Sequence, residues 1–138
     1  MAVFRKNKTF ATFLAATVGG MGVHRFYLFG KNDAWGWTHL ATIPCALFLM
    51  WLKPGQPLLF LTAPLVISIL AALIEALVIG LTTDEEWDAR HNPDSGRQSK
   101  SGWPLVILLV LTLGGGAIAA IATIARTFDL LFTGGAYG

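Results

Sequence analysis

"GGMGVHRFYLFGKNDAWGWTHL", residues 19–40, begins as the end of a membrane helix and then sets a histidine and an arginine side by side where lipid is expected. Trp35, Trp37 and a second histidine, His39, follow close behind. How the chain passes from Val23 to Ala34 decides how the apolar residues on either side are arranged.

Composition favours a membrane setting. Of the 138 residues, 54% are hydrophobic and 13% charged, about half the charge of a soluble domain. The apolar residues are bunched into blocks rather than spaced so as to leave one face wet, which is the pattern of membrane spans. The net charge of +2 is too small and scattered for nucleic-acid binding, and the Lys and Arg residues fall in the gaps between blocks, where they set topology and meet headgroups. Cys45 stands alone inside an apolar block, so neither a disulfide framework nor a cysteine metal centre is available. Arg5, Lys6 and Lys8 ahead of Phe10–Val23 have the layout of a secretory signal, but the segment is read as a retained span.

Four blocks follow in order. Phe10–Val23 reaches only about 21 Å at 1.5 Å per residue, and crosses the roughly 30 Å of hydrocarbon only if it draws in His24–Phe29. Ala34–Leu52 carries Trp35 and Trp37 at one end and Trp51 at the other, as interfacial anchors, with Pro44 bending it. "KPGQP", 53–57, is a turn. Leu58–Thr82 contains Pro64 and one charge, Glu75. Residues 83–102 are polar: Thr83 and Glu86 form a capping box, Glu86 and Arg90 an i,i+4 pair, and Asn92-Pro93 ends the short surface helix this predicts. Trp103 opens the fourth block, which runs to Ala125. Residues 126–138, with Phe128, Leu131 and Phe132 on one side, read as a separate interfacial helix. The expected architecture is all-α: a first transmembrane hairpin over 1–52 and a second over 53–138, giving four transmembrane helices, with a polar loop helix over 83–102 and an interfacial tail.

Small residues recur at intervals of four, at Ser68, Ala72, Ala76 and Gly80 in the third block and at Gly115 with Ala119 and Gly116 with Ala120 in the fourth. Lipid supplies no hydrophobic force between helices, so close approach through small side chains is a main way for them to adhere. Packing within one chain and an oligomer interface both use such stripes.

These residues carry a resemblance. Gly19 and Gly22 match a Gly-x-x-Gly pair, His24-Arg25-Phe26-Tyr27-Leu28 matches an (Asp or His)-Arg-Phe motif, and Gly36 falls early in the following helix. Residues 8–52 therefore resemble the TM2-domain family, in which two membrane helices flank a short linker; the chain differs in placing Phe29 before Gly30. The resemblance implies an architecture rather than an activity.

Counting Lys and Arg over four spans gives five on each side, so orientation rests on the basic first tail, which favours cytoplasmic ends at an inner membrane. Four crossings place His24, Arg25, His39 and Glu75 in one leaflet. An ionised Glu75 at that depth costs on the order of 2.5 kcal/mol or more, and a partner offsets this. Arg25 is the preferred partner because its fork suits a carboxylate and it stays charged; His39 is the other. Proton or ion passage is the functional alternative.

Other chemistries lack their residues. Two histidines raise haem ligation, but nothing in the sequence sets the rings face to face. The acids of 84–88 lack the spaced ligands and turn glycine of a calcium loop. "GGMG" has no third glycine or preceding strand of a dinucleotide fingerprint, and no serine has a nucleophile-elbow context. The sequence motivates no cofactor, metal or enzyme class. It points to a non-catalytic accessory or scaffolding subunit of a membrane assembly, in contact with the lipid bilayer and with copies of itself or larger partners. The alternative is a small oligomeric conduit using Glu75.

Overall fold

In the computed structural model, which describes residues 4–137, the described chain is built from seven helices and no strand. Helix α1 (Lys8–Val18) starts where the Asn7 side chain accepts from the Phe10 N–H at 2.9 Å, satisfying one of the orphan donors of a first turn. It is only 11 residues long, about 16 Å. A 3-10 turn, Gly19–Met21, and Gly22 at φ +75° then reverse the chain into α2 (Val23–Phe29).

The reversal is the main departure from the expected first span. At the far end of α2, Tyr27 Oη accepts from the Asn7 N–H at 2.8 Å and the Leu28 carbonyl accepts from Lys6 Nζ. Leu28 is buried against Ala11 and Trp87. So α2 returns to the level at which α1 began, and Phe10–Phe29 is a short helical hairpin rather than one helix. Glycine makes this possible at Gly22, where φ is left-handed and an added Cβ would collide with the Gly36 carbonyl.

Asp33 caps α3 (Ala34–Leu52), its carboxylate accepting from the Gly36 N–H at 2.7 Å. After the turn at Gly55 come α4 (Leu58–Leu61) and α5 (Ala63–Leu81). Helix α5 is the axis of the molecule, with α1, α3 and α7 packed around it. It runs antiparallel to α1, Ala72 meeting Gly19 and Gly80 meeting Thr12. The short helix α6 (Asp84–His91) is capped by Thr83, as its capping box predicts.

Helix α7 (Trp103–Thr133) is continuous for 31 residues, about 46 Å. The separate tail helix expected over 126–138 is therefore corrected. No breaker interrupts the helix before Gly134, which ends it at φ +70°, and Arg126 pairs with Asp129 one turn on, so the charges do not stop it. Two helices, α5 and α7, are long and apolar enough to cross a membrane, rather than the expected four. The first block fails by folding back. Helix α3 has the length, but Trp35, Gly36, Trp37, Thr38 and His39 dilute its apolar content.

Candidate functional site

Glu75 lies on α5, six residues before its end, and faces the mouth of the α1–α2 hairpin. His24 Nε2 is 2.7 Å from Glu75 Oε2, and Arg25 Nη1 donates to the same oxygen at 3.3 Å. His39 Nε2, from α3, is 3.2 Å from Oε1. Three helices thus converge on one carboxylate. His24 is fully buried and His39 nearly so, while the Glu75 side chain keeps 29% of its surface exposed.

Two neighbours missing from the sequence reading hold this arrangement. Asp33 is the main partner of Arg25, taking Nε at 2.9 Å and Nη2 at 3.0 Å in a two-pronged pair. Its signal was present, since Asp33 stands where an N-cap residue stands before an apolar run. Ser68 Oγ lies 2.6 Å from His39 Nδ1 and donates to the Gly20 carbonyl at 2.8 Å. Gly19 leaves space for the His24 ring, since a Cβ there would come within 3.3 Å of His24 Nδ1. That nitrogen has no hydrogen-bond partner among the described residues.

Cavities reach Glu75 from two directions. One of about 240 Å³ extends to Thr82, Arg90 and His91, and one of about 180 Å³ extends past His39 to Thr42 and Pro64. No protein-family model, curated protein or solved structure matches the chain.

A second polar cluster closes the rim above. Lys8 Nζ, almost wholly buried, donates to Asp84 and to the Thr82 carbonyl at 2.8 Å. Asp84 also accepts from the Ser101 hydroxyl and N–H at 2.6 and 2.7 Å, and Asp88 accepts from Ser99 and lies near Arg5. Burial raises the Asp84 carboxyl, but the bonds from Lys8 and Ser101 outweigh it and bring it to about 2. The serine loop is therefore tied down at Ser99 and Ser101. Trp87, singled out by nothing in the sequence, is buried among these groups and donates to the Lys6 carbonyl; His91 stacks against it at 4.4 Å.

The small-residue stripes divide. Ser68, Ala72, Ala76 and Gly80 are all buried inside the chain. A Cβ added at Gly116 would lie 3.7 Å from Leu73, and Gly116 with half-buried Ala120 borders a cavity against α5. Ala119 is also half-buried, but Gly115 has open space around it. Trp35, Trp37, Trp51 and Trp103 all point outward and are exposed.

Proposed function

We propose that the chain is a non-catalytic multi-pass membrane protein that serves as a subunit of a membrane assembly, and that Glu75 is the clamp joining its hairpin to its bundle. The observation that carries this reading is the engagement of both Glu75 oxygens by three internal partners from two other helices. A group so occupied holds elements together; it is not poised to attack a substrate. The outward side of α7, where Gly114 and Gly115 have open space, is the face through which the chain meets lipid and a second copy of itself.

In the same proposal α3, α5 and α7 cross the bilayer and the α1–α2 hairpin dips into one leaflet. Charge supports this. Of ten Lys and Arg residues, only Lys53 and Arg126 belong to the end away from α6, which leaves eight at the hairpin mouth and rim. Fourfold bias of this kind supports a cytoplasmic rim. The likeness of residues 19–36 to the TM2-domain signature is part of this proposal too, with its glycines serving the reversal.

A second reading, a proton or ion conduit, draws on the two cavities that meet at Glu75. A carboxyl-reactive probe separates the two in detergent. The clamp predicts that Glu75 resists modification until the protein unfolds, and that Glu75→Gln lowers the unfolding midpoint. Ready labelling of the folded chain, with Glu75→Gln abolishing flux into vesicles at unchanged stability, would establish the conduit instead.

A further inference from the structure

His24, His39 and Glu75, from α2, α3 and α5, present one ligand atom each within 4.8 Å of one another, the two histidines buried and the carboxylate partly so. We propose that these three residues bind one divalent first-row transition-metal cation. This stands apart from the assembly role and holds for either reading of Glu75.

Ser68 has one hydroxyl proton, and the Gly20 carbonyl 2.8 Å away can only accept it. Ser68 Oγ must then accept from His39, so Nδ1 carries the ring proton. A neutral His39 consequently turns the lone pair of Nε2 toward Glu75 Oε1 at 3.2 Å. Two lone pairs facing at that distance repel unless a positive species lies between them.

Arg25 does not supply it. Its guanidinium is held by two bonds to Asp33 and approaches the other Glu75 oxygen. With Asp33 balancing Arg25, Glu75 is the remaining anion, shared by two imidazoles. A metal ion meets the requirement: tetrahedral sites hold their nitrogen and oxygen ligands about 2.0–2.2 Å from the metal, hence about 3.3 Å from each other. The His39–Glu75 separation already has this value, and rotation of the carboxylate opens the shorter His24 contact of 2.7 Å.

Ligand chemistry selects the class. Two imidazoles and a carboxylate suit zinc, iron(II), cobalt(II), nickel(II) or copper(II), whereas magnesium and calcium require more oxygen ligands. Ser68 behaves as outer-sphere partners of metal-binding histidines do, fixing the ring and its tautomer through the nitrogen that does not bind. The exposed flank of Glu75 toward Thr38 and Thr42 leaves room for a water in the fourth position.

The test uses the full chain in detergent, stripped by chelator, then titrated with Co(II) while visible absorption is followed and Zn(II) is added as competitor. The expected result is one Co(II) per chain, displaced by one equivalent of Zn(II), and a raised unfolding midpoint with Zn(II). His39→Ala and Glu75→Gln should each weaken binding by about 100-fold or more. Because both changes also loosen the bundle, Ser68→Ala is the deciding variant: it keeps all three ligands and should weaken binding about tenfold. His91→Ala and Cys45→Ala should leave the titration unchanged. Absence of saturable binding by the folded chain overturns the proposal and leaves a proton alone between His39 and Glu75. Binding that survives His39→Ala but is lost in His91→Ala overturns it equally.

Discussion

Asp84 shows how a single side chain at the rim ties stability to pH. Its carboxyl lies at about 2 in the folded chain against an ordinary 3.8, so between those values the unfolded chain binds more protons than the folded one. The stability it contributes is complete above about pH 4 and disappears as pH falls through about 2. Asp84→Asn should therefore lower the unfolding midpoint at pH 6, and the gap from the parent protein should close as the pH is taken toward 2. At Glu75 the effect is one of orphaned partners. Glu75→Leu leaves Arg25, His24 and His39 facing each other with no anion between them, and should destabilise the fold by about 2 kcal/mol or more, measured by denaturant titration in micelles. Glu75→Gln retains a carbonyl acceptor and should lose less. Exchanging Arg25 and Glu75 is not a rescue, since Arg25 is held mainly by Asp33, and the exchange would face two acids across the hairpin mouth.

At the scale of elements, the α1–α2 reversal depends on one backbone conformation. Gly22→Ala forces a Cβ into a left-handed position against the Gly36 carbonyl, and should lower the unfolding midpoint by several degrees, the equivalent of about 2 kcal/mol. Gly114→Ala, in open helical space, should be neutral or slightly stabilising by the same measurement. These glycines also mark the limit of what could be read in advance. The ends of α3, the capped α6 and the start of α7 were legible because each is fixed locally, by a cap or by the edge of an apolar run, whereas the break at Thr62 that sets α4 apart from α5 lies inside the single block expected over Leu58–Thr82. The reversal was not, because a glycine that permits φ +75° looks the same in sequence as one that lets two helices touch. Continuation of α7 through Arg126 was hidden for a related reason: a charged pair in an apolar run resembles an end, and only the i,i+3 contact with Asp129 makes it part of the helix. The four polar residues were legible from the cost of charge in lipid; Asp33 showed only its capping role, and Ser68 as a histidine partner and Trp87 did not show at all, since their importance comes from contacts across the chain.

For the whole molecule, the number of crossings fixes where its ends lie. In the proposed arrangement, three crossing helices and a half-depth hairpin put Arg5 and Thr133 on opposite faces, whereas four crossings put them on one. Reporter fusions at those two positions, one active only in the cytoplasm and one only outside, should give opposite signals, with the former active ahead of Arg5. Matching signals would overturn the three-span arrangement and remove the charge argument built on the rim.

The rim itself has a consequence for how the protein is made. Residues 5–8 are held by Trp87, Asn92, Ser99 and Asp84, all synthesised between 76 and 94 residues later. Residues 5–8 must therefore wait, unlatched, until α5 and the loop to Ser101 have been made behind them. Assembly runs in the reverse of sequence order at this point: residues 5–8 are secured only after α6 and the loop to Ser101 have been made, and any delay in translating that loop leaves them unlatched for longer.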